Sequence, residues 1–253
     1  MNHAPYFRKG TGRNAVLLIH GIAGSPAHFR DLVPVIPETF SVYNILLDGH
    51  SGAVENLSHS SMAKWKAQVT VTLSDLYMRH EKVVIVAHSM GTLFAIRAAI
   101  DRPDKIPTLF LLNVPTRPWV RLSTWCTCLR VAFGNLDRPA DQAMRGETAL
   151  ELTPKLWKYI GWAPRMIELL AECSRTRKIL PALPIPTQAF QSPVDELVSI
   201  RSCKDLENHA LIQLTVLKHS GHFVYSAEDI AYLQAQLAKT LAYVEATDEK
   251  SLS

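Results

Sequence analysis

Alternating strand and helix signals predict an α/β architecture: a mostly parallel central sheet with helices on both faces and one inserted helical segment. Three observations carry this. Short aliphatic and β-branched runs, such as Val83–Ala87, have the length and composition of buried parallel strands. Each is followed by apolar residues recurring every three or four positions, the signature of a helix with one buried face. Between Pro115 and Pro186 that rhythm stops for roughly seventy residues, far more than a single crossover needs.

In chain order, Asn14–His20 reads as a buried strand that leaves through the turn Gly21-Ile-Ala-Gly-Ser-Pro26. Ser25 as cap, Pro26 at the first helical position, and Phe29, Leu32, Val33 and Ile36 at helical spacing predict a helix. Phe40–Leu47 reads as the next strand, ending in Asp48-Gly-His50. Met62, Trp65, Val69, Leu73 and Leu76 then mark a long amphipathic helix. Val83–Ala87 and Thr108–Asn113 are further strands, separated by the apolar helix that begins at Met90. Proline clusters at Pro115/Pro118 and Pro181–Pro186 bound the inserted segment, which holds Trp119, Trp125, Trp157 and Trp162. Strands Thr187–Gln191 and Leu211–Leu217 follow. The last helix opens with a capping box at Ser226 and Asp229, buries Ile230, Leu233, Leu237, Leu241 and Val244, and gives way to a polar, frayed tail from Glu245. The resulting division is a core of residues 1–114 and 186–253, with residues 115–185 as a helical cap.

Composition narrows the function classes. Apolar residues at 47% and charged residues at 20% describe a globular chain, and no run of about 18 apolar residues suggests a membrane span. The first ten residues lack a signal peptide's apolar core, and Cys126, Cys128, Cys173 and Cys203 lack paired metal-ligand spacing. The expectation is a cytoplasmic protein with free thiols, no metal and no cofactor. Eleven Lys/Arg against six Asp/Glu between Val114 and Leu180 give the cap a basic surplus, but without the aromatic interleaving of a nucleic-acid binder. That surplus reads as a solvated face, or as attraction for an anionic substrate.

The chemistry centres on Ala87-His88-Ser89-Met90-Gly91. A strand that turns directly into a helix strains the apex residue, and its neighbours two places either side must be small. Ala87 and Gly91 meet that condition, so Ser89 is presented with its hydroxyl exposed and a helix N-terminus behind it. The stretch resembles the Gly-x-Ser-x-Gly nucleophile elbow of the α/β-hydrolase superfamily, with Ala in place of the first Gly. The likeness covers residues 14 to 113 and 186 to 246, and within the superfamily it is nearest to carboxylesterases and monoacylglycerol-lipase-like hydrolases.

In that family the triad runs Ser, acid, His. The resemblance assigns these roles to Ser89, Asp195 and His222, each just beyond a predicted strand. Asp195 lies in Ser-Pro-Val-Asp-Glu-Leu-Val, with Glu196 as rival; the strand before the cap, where some relatives carry the acid, ends in Asn113. His222 follows a Ser-Gly pair in the family's manner, whereas His219 precedes it and His209 falls before the strand. His20-Gly21-Ile22 resembles the oxyanion turn, so the backbone N–H groups of Ile22 and Met90 would receive the oxyanion. His20 reads as a buried loop-holding residue, Asp48–His50 as structural, and His88 as no extra base. The implied function is cleavage of carboxylic esters of short to medium acyl chains through an acyl-Ser89 intermediate. The partner would be a small ester, without nucleic acid or an integral membrane segment. Thioesters, amides and carbon–carbon bonds remain open as substrates, as does a non-catalytic receptor on the same fold.

Overall fold

The computed structural model describes residues 3–252 and the side chains as far as Thr247. The strands are β1 (Tyr6–Arg8), β2 (Ala15–Ile19), β3 (Ser41–Ile45), β4 (Ser51–Ala53), β5 (Val83–His88), β6 (Leu109–Leu112), β7 (Ala149–Glu151), β8 (Thr187–Gln191) and β9 (Ile212–Val216). The α-helices are α1 (Glu55–Ser58), α2 (Met62–Arg79), α3 (Met90–Asp101), α4 (Leu122–Ala132), α5 (Pro139–Glu147), α6 (Trp162–Ile179), α7 (Ser202–Glu207) and α8 (Ala227–Leu252). Among the described residues, seven strands form the main sheet in the order β1-β3-β2-β5-β6-β8-β9. Only β1, at the edge, runs antiparallel to its neighbour.

The strands are apolar on both sides because both faces are covered. One face packs Trp65, Leu73, Phe94 and Ala99 from α2 and α3, with part of α6 added; the other packs Leu233, Leu237 and Leu241 of α8 with Phe29 and Ile36. Ile19 pairs with Ala87, His88 with Leu112, and Leu112 with Phe190, so β2, β5, β6 and β8 finish at one level. The chain visits β3 on one side of β2 before β5 on the other. The gap between β2 and β5 is therefore the topological switch point, where the C-terminal ends of parallel strands leave a crevice.

Several local expectations are corrected. Residues 26–36 form two 3-10 turns, Pro26–Phe29 and Val33–Val35, rather than one helix. Pro34 in the middle of the expected helix lacks the N–H that the next turn would need. Ser25 makes no side-chain cap; its hydroxyl donates instead to the Glu147 carbonyl at 2.8 Å. At the other end, the helix expected to fray from Glu245 continues to Leu252 as α8, while Ser253 lies outside the described residues. Of the expected capping box, Ser226 Oγ accepts from Asp229 N at 3.1 Å, but the Asp229 carboxylate turns to Ser220 and His219. The segment between β6 and β8 is not wholly helical, since β7 pairs in parallel with β4 as a separate two-stranded ribbon. Its α6 packs against α1, α2 and α3, and α4 packs against α5. Among the described residues, no helix is long and apolar enough to cross a membrane.

Candidate active site

Ser89 sits at the junction of β5 and α3 with φ 50° and ψ −120°. This left-handed conformation is strained for any residue with a Cβ and persists only where the surroundings enforce it. The Ser89 N–H donates to Leu112 O at 2.9 Å, and Thr92 Oγ1 donates to the Ser89 carbonyl at 2.6 Å. Gly91 is needed because a Cβ there would run into the backbone carbonyl of Ile19 at the end of β2. Gly21 is needed for the converse approach, since its Cβ would fall 2.9 Å from Ser89 Cβ and 3.2 Å from His88 Nδ1. Two glycines thus bring the turn after β2 against the elbow after β5. Met90, the first residue of α3, belongs to the turn whose N–H groups have no intrahelical acceptor.

Asp195 and His222 extend from the loops after β8 and β9. His222 Nδ1 donates to Asp195 Oδ2 at 2.8 Å, with both side chains almost completely buried. Asp195 Oδ1 accepts from the N–H groups of Leu197 and Val198, each at 2.7 Å. Three hydrogen bonds fix this carboxylate, and a neutral imidazole that donates to it through Nδ1 keeps Nε2 as an acceptor. Glu196 touches the histidine differently, accepting from the His222 backbone N–H at 2.6 Å. The His222 loop is further tied by Ser220 Oγ to Asp229 at 2.6 Å and by Ser192 to the Ser220 carbonyl. The His222 ring lies 4.6 Å, between centroids, from the ring of His88, the residue before Ser89. Among the described residues no hydrogen bond joins Ser89 Oγ to His222, and such contacts commonly tighten only around substrate.

The competitors stand elsewhere. Asn113 donates to the Tyr225 hydroxyl at 3.3 Å, His219 is exposed, and His209 caps the approach to β9 through Leu211 N. His20 donates through Nδ1 to Gly21 O at 2.7 Å and accepts from Leu47 N at Nε2 at 3.0 Å. It clamps the loop after β3 to the turn after β2, and burial together with the neighbouring His50 pushes its pKa well down. His50 is held at about 4, chiefly by burial, and its Nδ1 donates to Asp48 O at 3.0 Å. His88 is also pushed well down, by burial first and then by His28 and His222.

A carboxylate that the sequence reading did not single out lies beside this cluster. Glu147, at the end of α5, is buried and takes His28 Nδ1 at 2.7 Å and Arg30 Nη2 at 2.8 Å. Burial alone would raise its pKa, but the charges and bonds of His28 and Arg30 outweigh burial and hold it below the usual carboxylate range. The His28 ring stacks on His88 with centroids 3.7 Å apart. Two carboxylate–imidazole pairs, Glu147–His28 and Asp195–His222, therefore flank His88. No local sequence pattern links Glu147 to a partner 119 residues upstream.

A strained serine elbow at the switch point, with an Asp–His pair on the following strand ends, leads to comparison with known families. The sequence profile of the alpha/beta hydrolase fold family matches residues 14–170, well over half of the chain. The chain belongs to this family. Within the α/β-hydrolase family, solved structures share its fold at low identity. One comes from the study of LipS and LipT, two metagenome-derived lipolytic enzymes: 21% identical, TM-score 0.71, covering 96% of this chain and 98% of the other. The monoacylglycerol lipase of Paleococcus ferrophilus is 16% identical at TM-score 0.66, covering 94% and 99%. A thioesterase domain from the curacin biosynthetic pathway is 18% identical at TM-score 0.66, covering 92% and 94%. A curated relative, the dihydrolipoyllysine-residue acetyltransferase component of the acetoin cleaving system of Cupriavidus necator, is 27% identical over 108 residues. That match spans 43% of this chain and 28% of the relative, under a third of its length.

Proposed function

We propose that this α/β hydrolase is a serine carboxylic-ester hydrolase in which Ser89 is the nucleophile, His222 the base and Asp195 its orienting acid. The observation that carries the reading is the 2.8 Å Asp195–His222 bond, which fixes the neutral tautomer of an imidazole beside a strained serine elbow. As Ser89 Oγ bonds to the ester carbonyl carbon, its proton passes to His222 Nε2, and Asp195 stabilises the imidazolium. The carbonyl oxygen becomes an anion that the backbone N–H groups of Ile22 and Met90 would hold. Collapse breaks the bond to the alcohol oxygen, which leaves with the proton from His222. Water then repeats the sequence on acyl-Ser89, releasing the carboxylic acid and restoring the serine. In this reading residues 115–185 are the cap over a core of 1–114 and 186–253, and the substrates are small esters of short to medium acyl chains.

The test is intact mass after exposure to a fluorophosphonate, run beside Ser89→Ala. The expected result is one adduct on the native chain, none on the variant, and an esterase kcat lower by on the order of 10⁶ in a folded Ser89→Ala protein. A folded native chain that takes no adduct would move the reading to a non-catalytic receptor. A matched oxyester and thioester series then decides which acyl bond is preferred, because both use the same groups.

A further inference from the structure

We propose that the cleft where the cap segment leaves the core binds a small organic phosphate, with Arg177 and Arg201 gripping the anion and Trp119 carrying its apolar portion. The cleft is open to solvent and offers about 330 Å³ between α6, the stretch after β6 and the stretch before α7. Three guanidinium-bearing residues line it: Arg117, Arg177 and Arg201. Among the described residues, a single carboxylate answers them. Asp205 is engaged by Arg117, with Nε to Oδ2 at 2.9 Å and Nη2 to Oδ1 at 2.7 Å. Arg177 and Arg201 form no ion pair among the described residues; Asp205, whose carboxyl feels the Arg177 charge, spends its hydrogen bonds on Arg117 and Thr116, so one carboxylate faces three guanidinium groups.

The rest of the lining suits the same ligand. Burial would raise the Asp205 carboxyl, but bonds from Arg117 and Thr116 and the charges of Arg117 and Arg177 hold it low, so it stays an anion committed to Arg117. Ser174 and Ser199 add hydroxyl groups that can donate to phosphate oxygens. Guanidinium groups match the oxygens of a phosphate in pairs, which a lone ammonium does not. Trp119 is 66% exposed beside Pro118 and Leu170, so an aromatic or aliphatic group on the phosphate has a surface to cover. The cleft also has a firm wall. Trp119 N donates to Leu197 O at 2.8 Å, Ser199 N donates to Arg117 O at 3.0 Å, and Pro118 bridges Val198. Leu197 and Val198 are the residues whose N–H groups hold Asp195, so the anion site shares a strap with the Asp195 loop.

The probe is phenyl phosphate, titrated calorimetrically into the full chain at constant ionic strength, with inorganic phosphate and phenol as its two halves. Phenyl phosphate should bind about tenfold tighter than inorganic phosphate because the ring covers apolar surface, and phenol should give no saturable heat. Arg177→Ala and Arg201→Ala should each weaken phenyl phosphate about tenfold or more, and Arg201→Lys by less. Arg13→Ala, at the opposite end of the sheet, should bind as the native chain does. Should Arg177→Ala fail to fold, Arg201→Ala and Arg201→Glu decide, since Arg201 is exposed. Unchanged affinity in both arginine variants, or no saturable heat with phenyl phosphate, overturns the proposal. So does arginine-dependent binding of phosphatidylglycerol vesicles without phenyl phosphate binding, which would assign the cleft to a lipid surface.

Discussion

Taking the protein from about pH 8 to about pH 5 should cost it at least about 2 kcal/mol of stability, through histidines other than the proposed base. His50 is buried with its pKa pushed down to about 4, whereas an unfolded chain titrates near the ordinary 6.5. Between those values the unfolded state binds a proton that the folded state refuses. A depressed folded pKa gives stability that is complete above the unfolded value and is lost as pH falls toward the folded one. At pH 5, about 1.5 units below the unfolded value, that loss is ~2 kcal/mol at 1.36 kcal/mol per unit. His20 and His88 are also pushed well down by burial, so they add loss of the same sign. For a chain of this length, 2 kcal/mol corresponds to roughly 4–8 °C in Tm. The assay is denaturant unfolding across this pH range, repeated on His50→Gln. That variant loses its bond to Asp48 and should be weaker at every pH, but its stability should fall with acid more gently, by about one proton's slope. Stability that stays level from pH 7.5 to 5 in the native chain would refute the claim that these imidazoles are held neutral.

Further outcomes follow from the same geometry. Asp195→Asn should lower esterase kcat by on the order of 10⁴ by admitting the wrong His222 tautomer, as recorded for the chymotrypsin-type triad. Glu196→Gln, which alters only a backbone contact of His222, should cost far less, and the reverse ranking would reassign the acid. Glu147→Ala should destabilise by about 1–3 kcal/mol, because it leaves the buried His28 donor without its partner while Arg30 is part-exposed; an unfolding midpoint equal to the native one would contradict this. Across p-nitrophenyl esters, kcat/KM should rise roughly fourfold per methylene from acetate until the acyl site is full, at about 0.8 kcal/mol per buried CH₂. A steady decline from acetate would mean a closed, small site under the cap.

The elbow was legible because its demands are local and steric: a serine between a buried strand and a helix, with small residues two places either side. Chain order and position beyond the strands single out Asp195 and His222, and the structure brings these two side chains together at 2.8 Å. Between Ser25 and Ile36 the apolar spacing points to a helix, but Pro34 lacks the N–H that a helix interior needs, at a cost of about 3 kcal/mol, and two 3-10 turns form instead. Parallel pairing of β4 with β7 joins three-residue strands nearly a hundred positions apart, and so short a strand cannot show an alternation. The tryptophans between β6 and β8 show a different kind of limit. Trp119, Trp125 and Trp157 are all exposed by more than half, whereas Trp162 turns inward to donate to Val54 O at 2.7 Å. Along α4 and its end, Leu122, Trp125, Leu129 and Phe133 form one stripe at helical spacing, and each is exposed. Periodicity states which side chains share a face of a helix. Whether that face is covered depends on an opposing surface, and for α4 the opposite side, with Thr124 and Val131, is the one that meets the protein. The same reasoning explains Glu147: its meaning lies in His28 and Arg30, which only the folded chain brings to it.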